Sequence, residues 1–190
     1  MSASAEQPVL LYALLAGTAV YCITIYNGLV RLRNNVERAF ANIEVSLKQR
    51  HTELPMLVEV CKGYMKHERE VLVAIVEARS RVHRAQAEHD IRELGKAETQ
   101  MRQSLSNLFA RVEDYPDLKA NENMKALSER ISVLEDVIAD RREIYNESVR
   151  LNNTRIQEVP DVIFANIFRF EEHEYLSFEA DAMQATRISL

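Results

Sequence analysis

Residues Val9 to Tyr26 read VLLYALLAGTAVYCITIY and contain no charged side chain, no amide and no proline. As a helix that rises 1.5 Å per residue, this stretch reaches about 27 Å, close to the roughly 30 Å hydrocarbon core of a bilayer. Tyr12 and Tyr21, like Tyr26, lie near its ends, where amphipathic rings suit the membrane interface. The sequence therefore predicts one transmembrane helix, with the lipid bilayer as its partner.

The residues on either side of this stretch distinguish a retained anchor from a cleaved signal peptide. A signal peptide begins with a basic region, but residues 1–8 contain no lysine or arginine, and no small-x-small cleavage site follows the apolar run. Basic residues come after the stretch instead, at Arg31, Arg33, Arg38, Lys48 and Arg50. The missing signal-peptide features predict a retained anchor. Because basic flanks stay in the cytoplasm, we expect its N-terminus outside and the larger part of the chain inside.

Composition limits what the remaining residues form. Only four glycines and four prolines are present among 190 residues, which favours long helices over a many-stranded fold. The formal charge of −5 lacks the basic excess of a nucleic-acid binder, so we expect no nucleic acid partner. Cys22 and Cys61 would lie about 58 Å apart along a continuous helix, too far for a disulfide within one chain.

Four segments repeat apolar residues at the three- and four-residue spacing of a buried helical stripe. In order they run from Leu29 to Leu57, Leu57 to Val82, Ile91 to Tyr115 and Met124 to Ile156. Arg50 interrupts the first stripe and Glu98 the third, while Arg141 and Asn152 fall on the fourth. Buried polar groups must be paired, so Arg141 and Asn152 are expected to align neighbouring helices. A ligand pocket between helices is the alternative.

Prolines and polar runs predict where the segments end. Pro55 is expected to kink or restart the first helix. A turn is expected within residues 85–95, with a continuous helix as the alternative. The Asp-Tyr-Pro-Asp run at 114–117 should end the third segment, and Pro160 should end the fourth.

Helices with one apolar face each must bury those faces together. We therefore expect an all-α protein, in which a single N-terminal transmembrane helix is followed by an elongated antiparallel helical bundle of long helices. Residues 1–8 would form a short tail, 9–26 the transmembrane helix, 27–160 the bundle and 161–190 an aromatic-rich C-terminal segment.

The C-terminal segment contains four of the six phenylalanines, at Phe164, Phe168, Phe170 and Phe178. We expect it either to close the end of the bundle or to present an aromatic surface to the membrane or to a partner. Three glutamates between residues 171 and 174 weigh against contact with an anionic membrane.

The sequence predicts no catalytic, cofactor-binding or metal-binding residues. A di-iron bundle needs a glutamate three residues before a histidine, and this is missing at His51, His67, His83, His89 and His173. Val71 occupies the place of the second histidine that a zinc-protease helix starting at His67 would need. No nucleophile elbow is present, and the basic run at 79–84 is expected to be a solvated helix face. We expect a protein that is not an enzyme and that holds no cofactor.

Three parts of the chain resemble the LemA family. They are YNGLVRLRNNVERAFANIEVSLKQRHTELPMLVEVCKGYMKHE at 26–68, EDYPDLKANENM at 113–124, and ADRREIYNESVRLNN at 139–153 with EVPDVIFANIFRFEEHEYLSFE at 158–179. The resemblance implies one N-terminal membrane span and a long helical bundle. It implies no settled activity, although some relatives are linked to shaping or organising membranes. Phe40 stands where the family usually carries tryptophan.

Together these features predict a membrane-anchored helical scaffold in the bacterial inner (plasma) membrane. It would bind protein partners or form a homo-oligomer, and self-association would organise or shape membrane. The alternative is a small-ligand receptor or an enzyme with a site buried between bundle helices. A convergent buried polar cluster with shifted pKa values would favour this alternative, whereas an apolar core with an exposed patch would favour the scaffold.

Overall fold

The computed structural model describes residues 3–177, with side chains from Leu10 onward. Within this range the chain forms six helices and no strand, which confirms the all-α prediction for these residues. The helices are α1 (Ala3–Tyr64), α2 (Arg69–Glu88), α3 (Ile91–Val112), α4 (Pro116–Ala120), α5 (Glu122–Gln157) and α6 (Asp161–Phe168). Residues 178–190, including Phe178 and the rest of the predicted C-terminal segment, lie outside the described range.

α1 continues directly from the apolar stretch into the first predicted stripe. The expected kink or restart at Pro55 is wrong, because the helix is unbroken across 62 residues. Leu54 and Leu57 are buried beside the exposed proline, and their packing compensates for the single backbone hydrogen bond that Pro55 lacks.

The second predicted stripe is divided between two helices. α1 ends at Tyr64 and α2 begins at Arg69. Cys61 on one side of this break and Ile75 on the other are both fully buried. Because the apolar spacing stays in register across the break, periodicity alone did not reveal it.

The expected turn within residues 85–95 is confirmed. His89 takes a left-handed conformation with φ of 54° after the end of α2. Asp90 then caps α3, because its side chain accepts a hydrogen bond from the backbone N–H of Glu93 at 2.9 Å.

The two later proline signals also end helices. α3 ends just before the 114–117 run, and Pro116 occupies the first turn of the short helix α4, where its missing N–H costs nothing. α5 ends at Gln157, shortly before Pro160.

The chain divides into two compact units. Among the described residues, unit 1 joins 3–38 to Glu147–His173, and unit 2 joins Ala39–Asn146 to 174–177. α6 belongs to unit 1, and α2, α3 and α4 belong to unit 2, while α1 and α5 contribute residues to both.

The predicted stripes supply the core of unit 2. Its buried side chains include Ile43, Leu47, Leu54, Ile75, Leu94, Met101, Leu108, Ile131 and Ile138. α1 and α5 also make polar and sulfur contacts in this unit: Arg141 donates to the Ser46 hydroxyl at 2.6 Å, and the sulfurs of Cys61 and Met124 lie 3.9 Å apart. Arg141 thus joins two helices, as its place on the fourth stripe predicted.

Candidate functional site

The N-terminal part of α1 exposes an apolar surface. All residues from Leu10 to Tyr21 are exposed, and the large side chains among them, together with Ile23, are between 55 and 70% exposed. α1 is the one described helix long and apolar enough to cross a membrane. This agrees with the prediction that the chain crosses a membrane once, because a lipid-embedded helix is apolar on every side.

The exposed surface ends at a small apolar core in unit 1. Ile25 and Leu29 of α1 are buried there against Ile156 of α5 and Ala165 of α6. Phe164 and Phe170 pack against this core. The C-terminal aromatics therefore pack around the residues where the apolar stretch of α1 ends.

Aromatic rings surround Tyr26 in the same unit. Its ring centroid lies 4.8 Å from that of Phe168 and 6.0 Å from that of Phe170, both in edge-to-face geometry. The guanidinium carbon of Arg33 lies 5.8 Å from the centroid of Phe170. Tyr26 and Phe168 remain partly exposed, so this cluster reaches the surface.

α6 exposes several large apolar side chains, and Asn166 is the polar residue exposed among them. Ile163, Ile167 and Phe168 are 54, 65 and 53% exposed, and Val159 just before the helix is 82% exposed. Asp161 is the only charged residue of α6, but it is buried, and its carboxylate accepts a hydrogen bond from Arg155 at 2.6 Å. The exposed face of α6 therefore carries no charge.

Asparagines of α5 hold the segment that follows α6. In unit 1 the amide of Asn153 donates to the carbonyl of His173 and accepts from its N–H, each at 2.9 Å. Asn152, predicted to align helices, instead donates to Asn153 and to the carbonyl of Glu171. The predicted pairing of a buried asparagine is therefore correct, but its partner is the C-terminal segment.

The same contact recurs in unit 2. Asn146 donates to the carbonyl of Leu176 at 3.1 Å and accepts from its N–H at 2.9 Å, and the Tyr145 hydroxyl donates to the carbonyl of Glu174 at 2.9 Å. Burial raises the pKa of Tyr145 to about 12, so this hydroxyl remains a donor even in alkaline solution near pH 10. Gly95 allows the segment to lie against α3, because a Cβ there would collide with the carbonyl of Ser177.

The two polar residues that interrupt the first and third stripes meet in the core of unit 2. Arg50 and Glu98 are each 1% exposed and form a buried ion pair. Arg50 also donates to Glu135 at 2.5 Å, and the Nε atom of Arg102 lies 3.4 Å from the other oxygen of Glu135. The sequence singled out Arg50 and Glu98 separately, whereas Glu135 was missed because it stands beside a stripe, not on it.

Burial and charge act against each other in this cluster. Burial raises the pKa of Glu98, and the attraction of Arg50 offsets only part of that effect. Burial also lowers the pKa of Arg50, but the two carboxylates outweigh it and the net pKa is raised. The cluster thus has the shifted pKa values and the convergence that the ligand-site alternative required. Arg50 and Glu98 themselves lack solvent access at 1% exposure, whereas Glu135 is 19% and Arg102 37% exposed.

The histidines and cysteines do not converge on a metal site. Within residues 3–177 no group of three histidine, cysteine, aspartate or glutamate side chains is placed to hold a metal ion. Burial, then the charges of Arg79 and His83, lowers the pKa of His51, whose carbonyl accepts from Arg79 at 3.1 Å. The prediction of a solvated basic run is therefore wrong for Arg79, which is half-buried. Cys61 is buried, and burial raises its pKa to about 11, so the thiol is unreactive.

An apolar groove lies where α1 meets α2 in unit 2. Its volume is about 560 Å³, and it is lined by the apolar residues Val58, Met65, Leu72, Val73 and Val76 and by the charged residues Lys62, Lys66, Arg69 and Glu77. It contains no convergent set of acid–base groups.

Comparison with known proteins identifies the chain at the level of its family. The profile described as the LemA family matches residues 39–190, which is most of the chain. No curated protein matches the chain. The match contains the 113–124 and 139–179 motifs and most of the motif at 26–68, and the chain therefore belongs to the LemA family.

Proposed function

We propose that this protein is a membrane-anchored helical scaffold without enzymatic activity, which binds protein partners or further copies of itself. The observation that supports the proposal is the uniformly exposed apolar surface from Leu10 to Tyr21, which continues within one helix into packed helical structure. A soluble helix buries its apolar side, whereas this part of α1 presents apolar residues on every side.

In this proposal residues 9–26 cross the bacterial inner (plasma) membrane once. Exposed arginines at 31, 33 and 38 follow the span, which supports a cytoplasmic location for the residues after it and an outside N-terminus. Membership of the LemA family is compatible with a single span.

The proposal includes an antiparallel arrangement of the long helices in the bundle. On α1, Ser46 precedes Cys61, whereas their partners on α5 occur in the opposite order: Arg141 contacts Ser46, and Met124 contacts Cys61. This reversal is what two antiparallel neighbours require.

The buried charge cluster supports a scaffold more than an enzyme. A catalytic group must reach its substrate, but Arg50 and Glu98 are enclosed on all sides. Buried ion pairs of this kind contribute little net stability, and they select the one helix register in which every charge is paired. We therefore assign Arg50, Glu98 and Glu135 a structural role.

The test is the mass of the protein in solution. Light scattering would measure the full-length chain in detergent, and then a chain that begins at Thr24. This start removes the exposed apolar residues but keeps Ile25 and Leu29, which are part of the unit 1 core.

A discrete oligomer that persists in the shortened chain is the result we expect for a self-associating scaffold. An oligomer that is present only with residues 1–23 would assign association to the anchor. A monomer in both forms would contradict self-association and leave binding of a different protein as the scaffold's mechanism.

A further inference from the structure

The exposed face of α6 is an apolar surface of unit 1 that lies close to the end of the anchor. Ile163 and Ile167 are one helical turn apart, so they lie on the same side of α6, and Phe168 is adjacent to them. More than half of each of these side chains is exposed. Soluble proteins rarely leave several large apolar side chains together in water.

The position of α6 along α1 is defined by direct contacts. Ala165 packs on Ile25 and Leu29, and Phe168 meets the ring of Tyr26 at 4.8 Å. Ile25 and Tyr26 are the last two residues of the proposed span. α6 therefore lies beside α1 at the level where hydrocarbon gives way to headgroups, a boundary zone several ångströms thick.

The charges of unit 1 fit this placement. Asp161 is buried and paired with Arg155, so the one carboxylate of α6 stays out of the lipid. The exposed Glu158, directly before Val159, lies 3.8 Å from Arg155, which neutralises it at the membrane surface. Exposed arginines of unit 1 include Arg169 directly after α6, Arg155 bound to Asp161, and Arg31 and Arg33 just after the span on α1. Arginines at this depth extend towards phosphate groups.

We propose that α6 lies in the membrane surface. The side chains inserted among the lipids of the cytoplasmic leaflet are Val159, Ile163, Ile167 and Phe168. The occupant of the exposed face is the bilayer that α1 crosses. This inference rests on the anchor in the proposed function and adds a second contact with the same leaflet. A helix held in the membrane surface by its apolar side resists being lifted out of the lipid. The contact of α6 should therefore restrict how far unit 1 tilts and rotates relative to the bilayer.

The glutamates after α6 do not oppose the contact. The backbone carbonyl of Glu171 accepts from Asn152, and the carboxylate of Glu172 accepts from Gln157 at 2.7 Å, so the backbone at 171 and the side chain at 172 lie against α5 and not on α6. Insertion driven by apolar side chains needs no anionic lipid. Phosphatidylcholine alone should therefore support it.

The test uses the absence of tryptophan from this chain. A single tryptophan replaces Ile167 in the full-length protein, which is reconstituted in phosphatidylcholine vesicles whose acyl chains carry bromine near the headgroup or near the chain end. Ile167 is 65% exposed, so the larger ring fits without repacking. We expect a strong loss of emission with shallow bromine and a smaller loss with deep bromine.

Two matched reporters show what each outcome means. Leu15→Trp lies within the span and reports on the anchor. Its emission should be reduced more by deep bromine than by shallow bromine. Arg38→Trp lies about 18 Å beyond Tyr26 along α1 and should lose no emission. If the Leu15 reporter is quenched and the Ile167 reporter is not, the anchor stands and the inference about α6 is overturned. An unquenched Leu15 reporter would contradict the anchor itself.

If bromine does not quench the Ile167 reporter, the wavelength of its emission maximum shows what covers the face instead of lipid. A blue-shifted Ile167 reporter that bromine does not quench would assign the face to a protein, such as a second copy, and overturn the inference. An unshifted and unquenched reporter would overturn it too, because the face would then be in water. Ile163→Trp, at 54% exposure, provides a second reporter on the same face, and circular dichroism checks that both variants are folded.

Discussion

At the scale of single residues, Arg50 and Glu98 illustrate how a polar side chain enters an apolar stripe. Each residue alone would be costly to bury, but together with Glu135 they satisfy most of their hydrogen-bonding groups. Oε2 of Glu98 is the exception, since it is buried without a hydrogen-bond partner in the described structure. This atom explains why burial raises the pKa of Glu98 in spite of its pairing with Arg50.

Glu98 should make the stability of unit 2 depend on pH. Its pKa is higher in the folded chain than in the unfolded chain, so the folded state binds more protons between the two values. The free energy of unfolding should therefore fall as the pH rises from the ordinary range of a glutamate, near 4.3, through the raised pKa. Urea unfolding of the full-length protein in detergent, at several pH values, measures this slope.

Glu98→Gln should remove that part of the slope, because the amide keeps an acceptor for Arg50 but does not titrate. Glu129→Gln on α5 is the matched control, since Glu129 is exposed and should leave the slope unchanged. Equal slopes in the original chain and in Glu98→Gln would contradict a raised pKa of Glu98 in the folded chain.

At the scale of elements, the segment after α6 is held by side chains, not by a backbone ladder. Asn153 offers His173 one donor and one acceptor, and Asn146 offers Leu176 the same pair. An asparagine amide can thereby replace the two backbone bonds that a neighbouring strand would supply. This arrangement lets an extended segment lie against helices whose own backbone groups are already paired.

Asn153→Ala should release the segment in unit 1. Two backbone groups of His173 would lose their partner, which costs about 1–3 kcal/mol and makes local opening about 5- to 150-fold more frequent. A glutamate-specific protease should then cleave faster within residues 171–174, and the cleavage rate is read by mass spectrometry.

Asn123→Ala provides the comparison, because Asn123 is an exposed asparagine of α5 far from the segment in sequence. Its cleavage rate should equal that of the original chain. If Asn153→Ala is cleaved no faster than Asn123→Ala, the amide contacts do not hold the segment.

At the scale of the whole molecule, the proposed location depends on residues that make no contribution to either core. The side chains from Leu10 to Tyr21 pack against nothing in the described structure, yet they are the most apolar part of the chain. Their conformation and their exposure are both accounted for by a lipid environment.

Charges placed in this stretch should release the chain from membranes. Leu14→Arg combined with Val20→Arg should weaken insertion by about 5–7 kcal/mol, at roughly 2.5–3.5 kcal/mol for each arginine near the helix centre. The measurement is the fraction of protein that sediments with membranes after an alkaline wash.

Val133→Arg combined with Ile144→Arg makes the same change at two exposed apolar positions of α5, at 55 and 59% exposure. This control should sediment like the original chain. A double arginine variant of the anchor that still sediments fully would show that α1 is not the membrane anchor.

Much of the fold follows from the sequence, because helical periodicity and proline positions are local properties. The four stripes, the turn within 85–95 and the ends of α3 and α5 could all be predicted, since three- and four-residue spacing reports directly which side of a helix is buried. The long apolar stretch could be identified for the same reason, as its composition alone sets the environment it needs. Arg50 and Glu98 could be recognised as interruptions of otherwise apolar stripes.

The tertiary structure decided which distant residues meet. No local rule pairs Arg50 with Glu135 or places the carbonyl of Ser177 over Gly95, because such contacts depend on how whole helices pack. Packing also carried α1 through Pro55, where the local preference predicted a break. The exposed face of α6 likewise required the structure, because the sequence of a short apolar helix does not indicate which of its residues are buried and which are exposed. Their exposure beside Tyr26 depends on the contacts of Ala165 and Phe168 with α1.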